Sequence, residues 1–184
     1  MSDKTHLEKF KELINYTGDI KIYDIKGGYK TINQDGTPTQ YCRLLITSPK
    51  MVNDLIDKGL QLNKSLVMTP PKENMIPNNL KKDFLRGLID ANGSICKSNK
   101  TKVGGWRYHI LGTLDIINYF KSFYSDEKYP KLYQRKPDCP IYDMDYRINK
   151  NNIYLLDMLY ESSKENCRLD RKYFNYKAIK EYLK

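Results

Sequence analysis

Histidine and cysteine are scarce in this sequence of 184 residues, and their spacing argues against several kinds of metal or disulfide site. There are two histidines and four cysteines, and no two cysteines form a Cys-x-x-Cys pair. Structural zinc sites and the disulfide frameworks of small secreted domains need closely spaced cysteines, and a histidine-rich metal site needs more imidazoles. We therefore expect a fold that depends on neither. The residues are His6, His109, Cys42, Cys96, Cys139 and Cys167.

Long apolar runs are also missing. The first ten residues, MSDKTHLEKF, contain no apolar segment of the kind that secretory signals carry. No run approaches the roughly 20 apolar residues that cross a bilayer as a helix. The sequence thus predicts an intracellular protein without a membrane partner.

Positive charge and tyrosine are abundant. The formal net charge is +10, the sequence pI is about 9.3, and there are sixteen tyrosines. With 40% hydrophobic residues the chain is expected to fold, as one domain or as two small packed halves. An excess of cations favours a polyanionic partner such as nucleic acid. The alternative is that this composition reflects an AT-rich genome and that the charge only maintains solubility.

Residues 78–95, NNLKKDFLRGLIDANGSI, have the strongest local pattern. Asn78 or Asn79 can cap a helix just after Pro77, because a side-chain oxygen there can accept a free backbone N–H. Gly93 can end the helix in the left-handed conformation, and a strand is predicted to follow.

One side of this predicted helix is apolar at helical spacing, with Gly87 and Ala91 four residues apart within it. A glycine inside a helix costs about 1 kcal/mol relative to alanine, so its presence suggests a partner that approaches closely. Two small residues at this spacing would let two helix backbones touch. The predicted helix interface consists of Leu80, Phe84, Gly87, Leu88 and Ala91.

The stretch Leu85–Gly93 resembles the LAGLIDADG motif of homing endonucleases and differs from the family name only at Arg86 and Asn92. The alternative is an ordinary amphipathic helix that stops at a glycine. The resemblance implies an α+β fold in which an αββαββα half-saddle with a curved antiparallel sheet is repeated. It also implies two paired motif helices and Mg²⁺-dependent, site-specific hydrolysis of double-stranded DNA.

In that family the acidic residue before the last glycine of each motif binds a divalent metal, and that position here is Asn92. An amide oxygen can ligate Mg²⁺, but it carries no negative charge, and hard cations prefer carboxylates. Asp90 is the nearest carboxylate, although the family uses its position to support the helix end. The candidate metal residues are therefore Asn92, Ala91 and Asp90, and we expect Mg²⁺ binding to be weak or absent.

The order of predicted elements divides the chain into 1–68, a proline-containing linker at 69–78, and 79–184. The second part contains the whole half-saddle, whereas the first contains only a helix, two strands and a helix. Residues 13–20, LINYTGDI, could alternatively be a decayed first motif. A second polypeptide or a second copy could supply the missing motif helix, or nothing supplies it.

In the family, basic residues near the end of each half stabilise the charge of the transition state. By position in the repeat, Lys64 and either Arg171 or Lys172 match them, so the candidate catalytic residues are these cations together with Asn92. The alternative is that the three cations are solvated surface residues. The strands would lie along the major groove and read base edges with alternate side chains. Period-two alternation places Arg107 and His109 on the same face, although the sequence does not fix which face meets DNA. The candidate DNA-binding residues are Lys97, Lys100, Lys102, Arg107, His109, Gln134, Arg135, Arg147, Lys21, Lys26, Lys30, Gln40 and Arg43.

Two functions therefore remain open. The first is a LAGLIDADG endonuclease or one subunit of it, with cleavage impaired at Asn92. The second is a DNA-binding regulator that no longer cleaves, or an intron maturase with an RNA partner.

Overall fold

The computed structural model describes residues 3–25, 32–33, 36–62, 64–72, 74–98, 105–123 and 131–184. Its helices are α1 (Lys4–Leu13), α2 (Pro49–Asp57), α3 (Lys81–Asn92), α4 (Leu114–Lys121), α5 (Tyr154–Tyr160) and α6 (Asp170–Tyr182). Its strands are β1 (Ile20–Asp24), β2 (Gln40–Leu44), β3 (Gly93–Lys97), β4 (Trp106–Thr113), β5 (Lys131–Gln134) and β6 (Ile141–Arg147). Short 3-10 helices cover Lys64–Leu66, Asn78–Leu80 and Glu165–Cys167. The predicted α+β class is confirmed.

Both sheets are antiparallel. Strands β1 and β2 form a two-stranded sheet, and the other four strands are ordered β3-β4-β6-β5. We call α1, β1, β2 and α2 the N-terminal unit, and α3 to α6 with the four-stranded sheet the C-terminal unit. Two ion pairs attach the units: Lys9 Nζ to Asp170 Oδ2 at 2.6 Å and Arg171 Nε to Asp3 Oδ1 at 2.8 Å.

The hydrophobic core lies in the C-terminal unit. Buried side chains from α3, α4, α5 and α6 form one cluster with the strand residues that face them. Leu85 and Ile89 of α3 are fully buried, as are Tyr108 and Ile110 of β4 and Met144 of β6. No described residue before Leu85 is buried.

The predicted ends of α3 were wrong in two respects. Neither Asn78 nor Asn79 caps it, because a 3-10 turn at Asn78–Leu80 leads directly into the helix and no side chain caps its start. Gly93 has an extended backbone, with φ −101° and ψ 172°. The glycine is required by space instead, since a Cβ there would lie 2.8 Å from the backbone oxygen of Ile89 and 3.0 Å from that of His109.

Two predicted buried faces were also wrong. The buried apolar face of α3 is formed by Leu85, Leu88 and Ile89, so of the stripe predicted from Leu80 to Ala91 only Leu88 is buried. In α2, the helical spacing of Met51, Val52, Leu55 and Ile56 predicts a buried face, but Val52 and Leu55 are each 41% exposed. Ser48 nevertheless caps α2, accepting the Met51 N–H at 3.2 Å, as the Ser-Pro start predicts.

Within the described residues, no helix has the length and apolar character needed to cross a bilayer.

Candidate nucleic-acid interface and motif end

The four-stranded sheet has one face covered by helices and one open face. Along β4, Tyr108 and Ile110 point into the core, so Arg107 and His109 point outward. Arg147 of β6 lies in register with Arg107 and shares the open face. Three of the predicted DNA-binding residues are therefore on one surface.

Two aspartates lie among these basic residues, and the sequence analysis did not single them out. Arg107 Nε donates to Asp145 Oδ1 at 2.9 Å, and His109 Nδ1 lies 3.5 Å from Asp143 Oδ1. The alternation in IYDMDYR places both carboxylates on the face of Arg147, so the pattern could have revealed them. The open face is thus partly neutralised, and an anion must compete with Asp145 for Arg107.

Other predicted residues of the C-terminal unit lie elsewhere. Lys97 is in register with Trp106 and Gln134 with Tyr142, which places both on the helix-covered side of the sheet. Gln134 also donates to two backbone oxygens of the loop that follows β5. Arg135 directly follows β5 and is exposed.

The N-terminal sheet places two cations side by side. Lys21 and Arg43 are direct cross-strand partners, which is unfavourable for like charges unless an anion binds them. On the same face Tyr23 and Tyr41 stack with ring centroids 5.3 Å apart. Gln40 lies on the other face and donates to Asp24 Oδ1 across the strands at 2.9 Å. The predicted residues Lys26, Lys30, Lys100 and Lys102 lie outside the described residues.

The carboxylate of Asp90 is occupied by structural hydrogen bonds. Its Oδ1 accepts the Tyr160 hydroxyl at 2.7 Å, and its Oδ2 accepts the Leu169 N–H at 3.0 Å. Burial and the neighbouring Asp90 charge raise the pKa of Tyr160 well above its ordinary value. Asp90 therefore joins the end of α3 to α5 and to the start of α6.

Lys172 is buried beneath the end of α3. Its ammonium donates to the backbone oxygens of Asp90 at 2.8 Å and Gly93 at 2.6 Å, and also to that of Ile89. Burial lowers the pKa of Lys172 to about 8, an effect that the Asp90 carboxylate opposes. A cation at the carboxyl end of a helix also complements the helix dipole. Through these hydrogen bonds Lys172 holds the carboxyl end of α3, Ile89–Gly93, in position; we call these residues the motif end.

The remaining predicted catalytic cations are more exposed. Arg171 is the second residue of α6 and pairs with Asp3, and the hydrogen bond to Asp3 raises the pKa of Arg171. Lys64 is exposed on the 3-10 helix Lys64–Leu66, which contacts β4. Arg86, a departure from the motif, is buried and donates to the backbone oxygens of Leu159 and Cys167 at 3.0 and 3.1 Å.

The residues at the end of α3 do not fit a Mg²⁺ site on their own. Asn92 is half-buried, Ala91 offers no side-chain ligand, and both oxygens of Asp90 already accept hydrogen bonds. Across the described ranges, no three His, Cys, Asp or Glu side chains come together to hold a metal ion. One amide oxygen is a weak substitute for the carboxylates that Mg²⁺ prefers.

The predicted helix interface separates into two sets. Leu88 lies in the core, and Phe84 packs edge-on against Tyr119 with ring centroids 6.1 Å apart. Leu80, Gly87 and Ala91 instead line an open groove between α1 and α3. We call this 1010 Å³ space the α1–α3 groove; it is also lined by Phe10 and Leu13 of α1 and Cys42 of β2.

Comparisons of this chain with protein-family models and with curated proteins found no match.

Proposed function

We propose that this protein binds double-stranded DNA through the open faces of its two sheets, as a LAGLIDADG-type protein whose own motif end does not support cleavage. The observation that carries the proposal is the placement of Arg107 and Arg147 on one open face and of Lys21 and Arg43 on the other. The net charge of +10 supports a polyanionic partner.

The element order of the C-terminal unit also supports the proposal. From α3 to α5 it is helix, two strands, helix, two strands, helix, which is the order that the motif resemblance implies. A half-saddle repeated in this way, with the N-terminal unit as the incomplete half, would present an antiparallel surface to the major groove. Side chains at alternate positions on the open faces would then reach base edges and phosphates.

Salt dependence tests DNA binding directly. Each phosphate contact contributes about −0.9 to the slope of log K against log salt, so four cations predict a slope of about −3.6. Fluorescence anisotropy of a labelled duplex should show this slope between low and moderate salt. The double variant Arg107→Ala, Arg147→Ala should lose about 1.8 of it, whereas the exposed Lys177→Ala on α6 should not change it. A flat dependence would overturn the proposal.

The variant Asn92→Asp tests whether the end of α3 is a metal-binding motif that has lost its carboxylate. A carboxylate there adds the charge that hard cations prefer, so Mg²⁺ binding by calorimetry or nicking of supercoiled plasmid should rise if the rest of the site is intact. Asn92→Ala is the matched control and should change neither. No gain with the aspartate would mean that cleavage is lost beyond this one side chain.

The second candidate function is an intron maturase, which would bind structured RNA and would likewise not cleave. It is favoured by the full occupation of the Asp90 oxygens, which leaves the motif end without an available carboxylate. Competition between duplex DNA and structured RNA of equal length distinguishes a DNA partner from an RNA partner. Preference for RNA would favour the maturase.

A further inference from the structure

The open face of the N-terminal sheet, which carries Lys21 and Arg43, contains a small pocket of 220 Å³. Pockets for drug-sized ligands measure about 300–1,000 Å³, so this one takes a smaller group. Its lining is aromatic at two positions and charged at three, which suits a ligand that is both planar and charged. The lining residues are Tyr16, Asp19, Lys21, Tyr23, Arg43 and Leu45.

Tyr16 forms one wall of this pocket and is held there by the protein's own backbone. Its hydroxyl donates to the backbone oxygen of Leu45 at 2.9 Å, which joins the segment after α1 to the residue that follows β2. A Cβ at Gly18 would overlap the Tyr16 ring, so the ring lies directly against the glycine backbone. The wall is therefore in place without a ligand.

Tyr23 contributes an aromatic surface to the pocket. Its side chain is 39% exposed, and Tyr41 on the neighbouring strand stacks on it with ring centroids 5.3 Å apart and ring planes 21° apart. Exposed tyrosine rings are surfaces on which nucleic-acid bases stack with little regard to sequence. In a duplex the faces of a base are covered by its neighbours in the stack, so only an unpaired base can stack on Tyr23.

The charged residues of the pocket match a nucleotide better than a simple anion. Lys21 and Arg43 are cross-strand partners, and neither pairs with a carboxylate of the described residues, so a bound anion would relieve their repulsion. Asp19 would repel a free phosphate, but its carboxylate can accept an N–H from the edge of a base. A ligand that has phosphates at one end and N–H donors at the other suits all three residues.

We propose that this pocket binds one unpaired nucleotide, with the base against Tyr23 and the phosphates at Lys21 and Arg43. The pocket rests on the proposed function for its nucleic-acid partner, and it adds the form of nucleic acid that the N-terminal sheet takes. An unpaired nucleotide can belong to a single-stranded segment or be free in solution. Both sources offer the same base and phosphate chemistry, and they are separated below.

A single-stranded tetradeoxynucleotide and an abasic strand of the same length separate base contacts from phosphate contacts. Each is titrated into the full chain, and binding is followed by the backbone amide NMR signals of Ile20–Asp24 and Gln40–Leu44. The base-bearing strand should bind about fivefold or more tightly than the abasic strand, because a base stacked on an aromatic ring contributes at least that much. Equal affinities, or no change in these signals, would overturn the proposal.

Variants assign the base contact and the phosphate contacts to their residues. Tyr23→Ala should weaken the base-bearing strand about fivefold to a hundredfold and abolish its advantage over the abasic strand, whereas Tyr23→Phe keeps the ring and should retain that advantage. The double variant Lys21→Ala, Arg43→Ala should weaken both strands alike and reduce the salt slope by about 1.4, at about 0.7 per phosphate of a single strand. Tyr182→Ala, an exposed tyrosine on α6, is the matched control and should change neither. An advantage for bases that survives Tyr23→Ala would overturn the placement of the base.

Deoxyadenosine 5′-monophosphate separates the two sources of the nucleotide. If it shifts the same amide signals with an affinity within about tenfold of the strand, the ligand is a free nucleotide; weaker binding assigns the pocket to a nucleotide within a strand. Failure of the pocket and failure of the proposed function are also distinguishable. A flat salt dependence with blunt duplex would remove duplex binding and leave the preference for bases intact, whereas salt-dependent duplex binding with equal affinity for the two single strands would remove the pocket alone.

Discussion

Replacing Lys172 with methionine should lower the free energy of unfolding by about 3 kcal/mol. The change removes the donor for three backbone oxygens around the end of α3, and a hydrogen bond from a charged group contributes about 1.5–3 kcal/mol. Part of that loss is offset. The wild-type protein must desolvate a buried ammonium, at a cost of several kcal/mol, whereas the methionine variant does not. The net loss of about 3 kcal/mol is a large fraction of a typical domain's stability of about 5–15 kcal/mol.

Urea denaturation at pH 7, followed by circular dichroism, measures this difference. In a chain of this size 1 kcal/mol shifts Tm by about 2–4 °C, so Tm should fall by about 6–12 °C. Lys177→Met, an exposed lysine on the same helix, is the matched control and should change stability by less than about 0.5 kcal/mol. If Lys172→Met costs less than about 1 kcal/mol, the ammonium does not hold the end of α3.

Three further predictions concern pH, the open face and the motif end. Burial lowers the folded pKa of Lys172 to about 8, whereas an unfolded lysine titrates near about 10.4. The unfolded state therefore binds more protons between these values, and the stability difference between wild type and Lys172→Met should grow by about 1 kcal/mol from pH 7 to pH 9 in urea titrations; a difference that shrinks would contradict the lowered pKa. Asp145→Ala frees Arg107 from its carboxylate, so duplex affinity by anisotropy should rise about threefold to tenfold, while the salt slope stays near that of wild type because Arg107 already contributes to it; unchanged affinity would mean that Arg107 does not meet DNA. Asp90→Asn replaces one of two acceptor oxygens with a donor and should cost about 1–3 kcal/mol in urea, against little change for the exposed Asp115→Asn; equal effects would remove the structural role of Asp90.

Local patterns in the sequence were sufficient for most elements of the C-terminal unit. The hairpin of β3 and β4 follows from alternating residues that begin at Gly93 and resume at Trp106. Helix α4 buries Ile116, Ile117 and Phe120, as their helical spacing predicts. In these segments the local preference and the final packing agree.

Long-range contacts explain what the sequence did not reveal. The burial of Lys172 depends on backbone oxygens 79 to 83 positions away, and no local pattern identifies such partners. The backbone at Gly93 is extended because Ile89 and His109 approach it, which a helix-stop rule does not include. The apolar spacing in α2 indicates an amphipathic helix but not whether this chain covers it, and α2 stays half-exposed.

The contact between Lys172 and the end of α3 also has a consequence for synthesis on the ribosome. A nascent chain that has reached only residue 169 already contains the complete motif of α3, yet lacks the cation that its last carbonyl groups accept. Closing a loop of about 80 residues to form this contact carries an entropic cost that local helix formation does not. The contact therefore forms only after α6 has been translated, and translation that stops before α6 leaves the motif helix without its anchor.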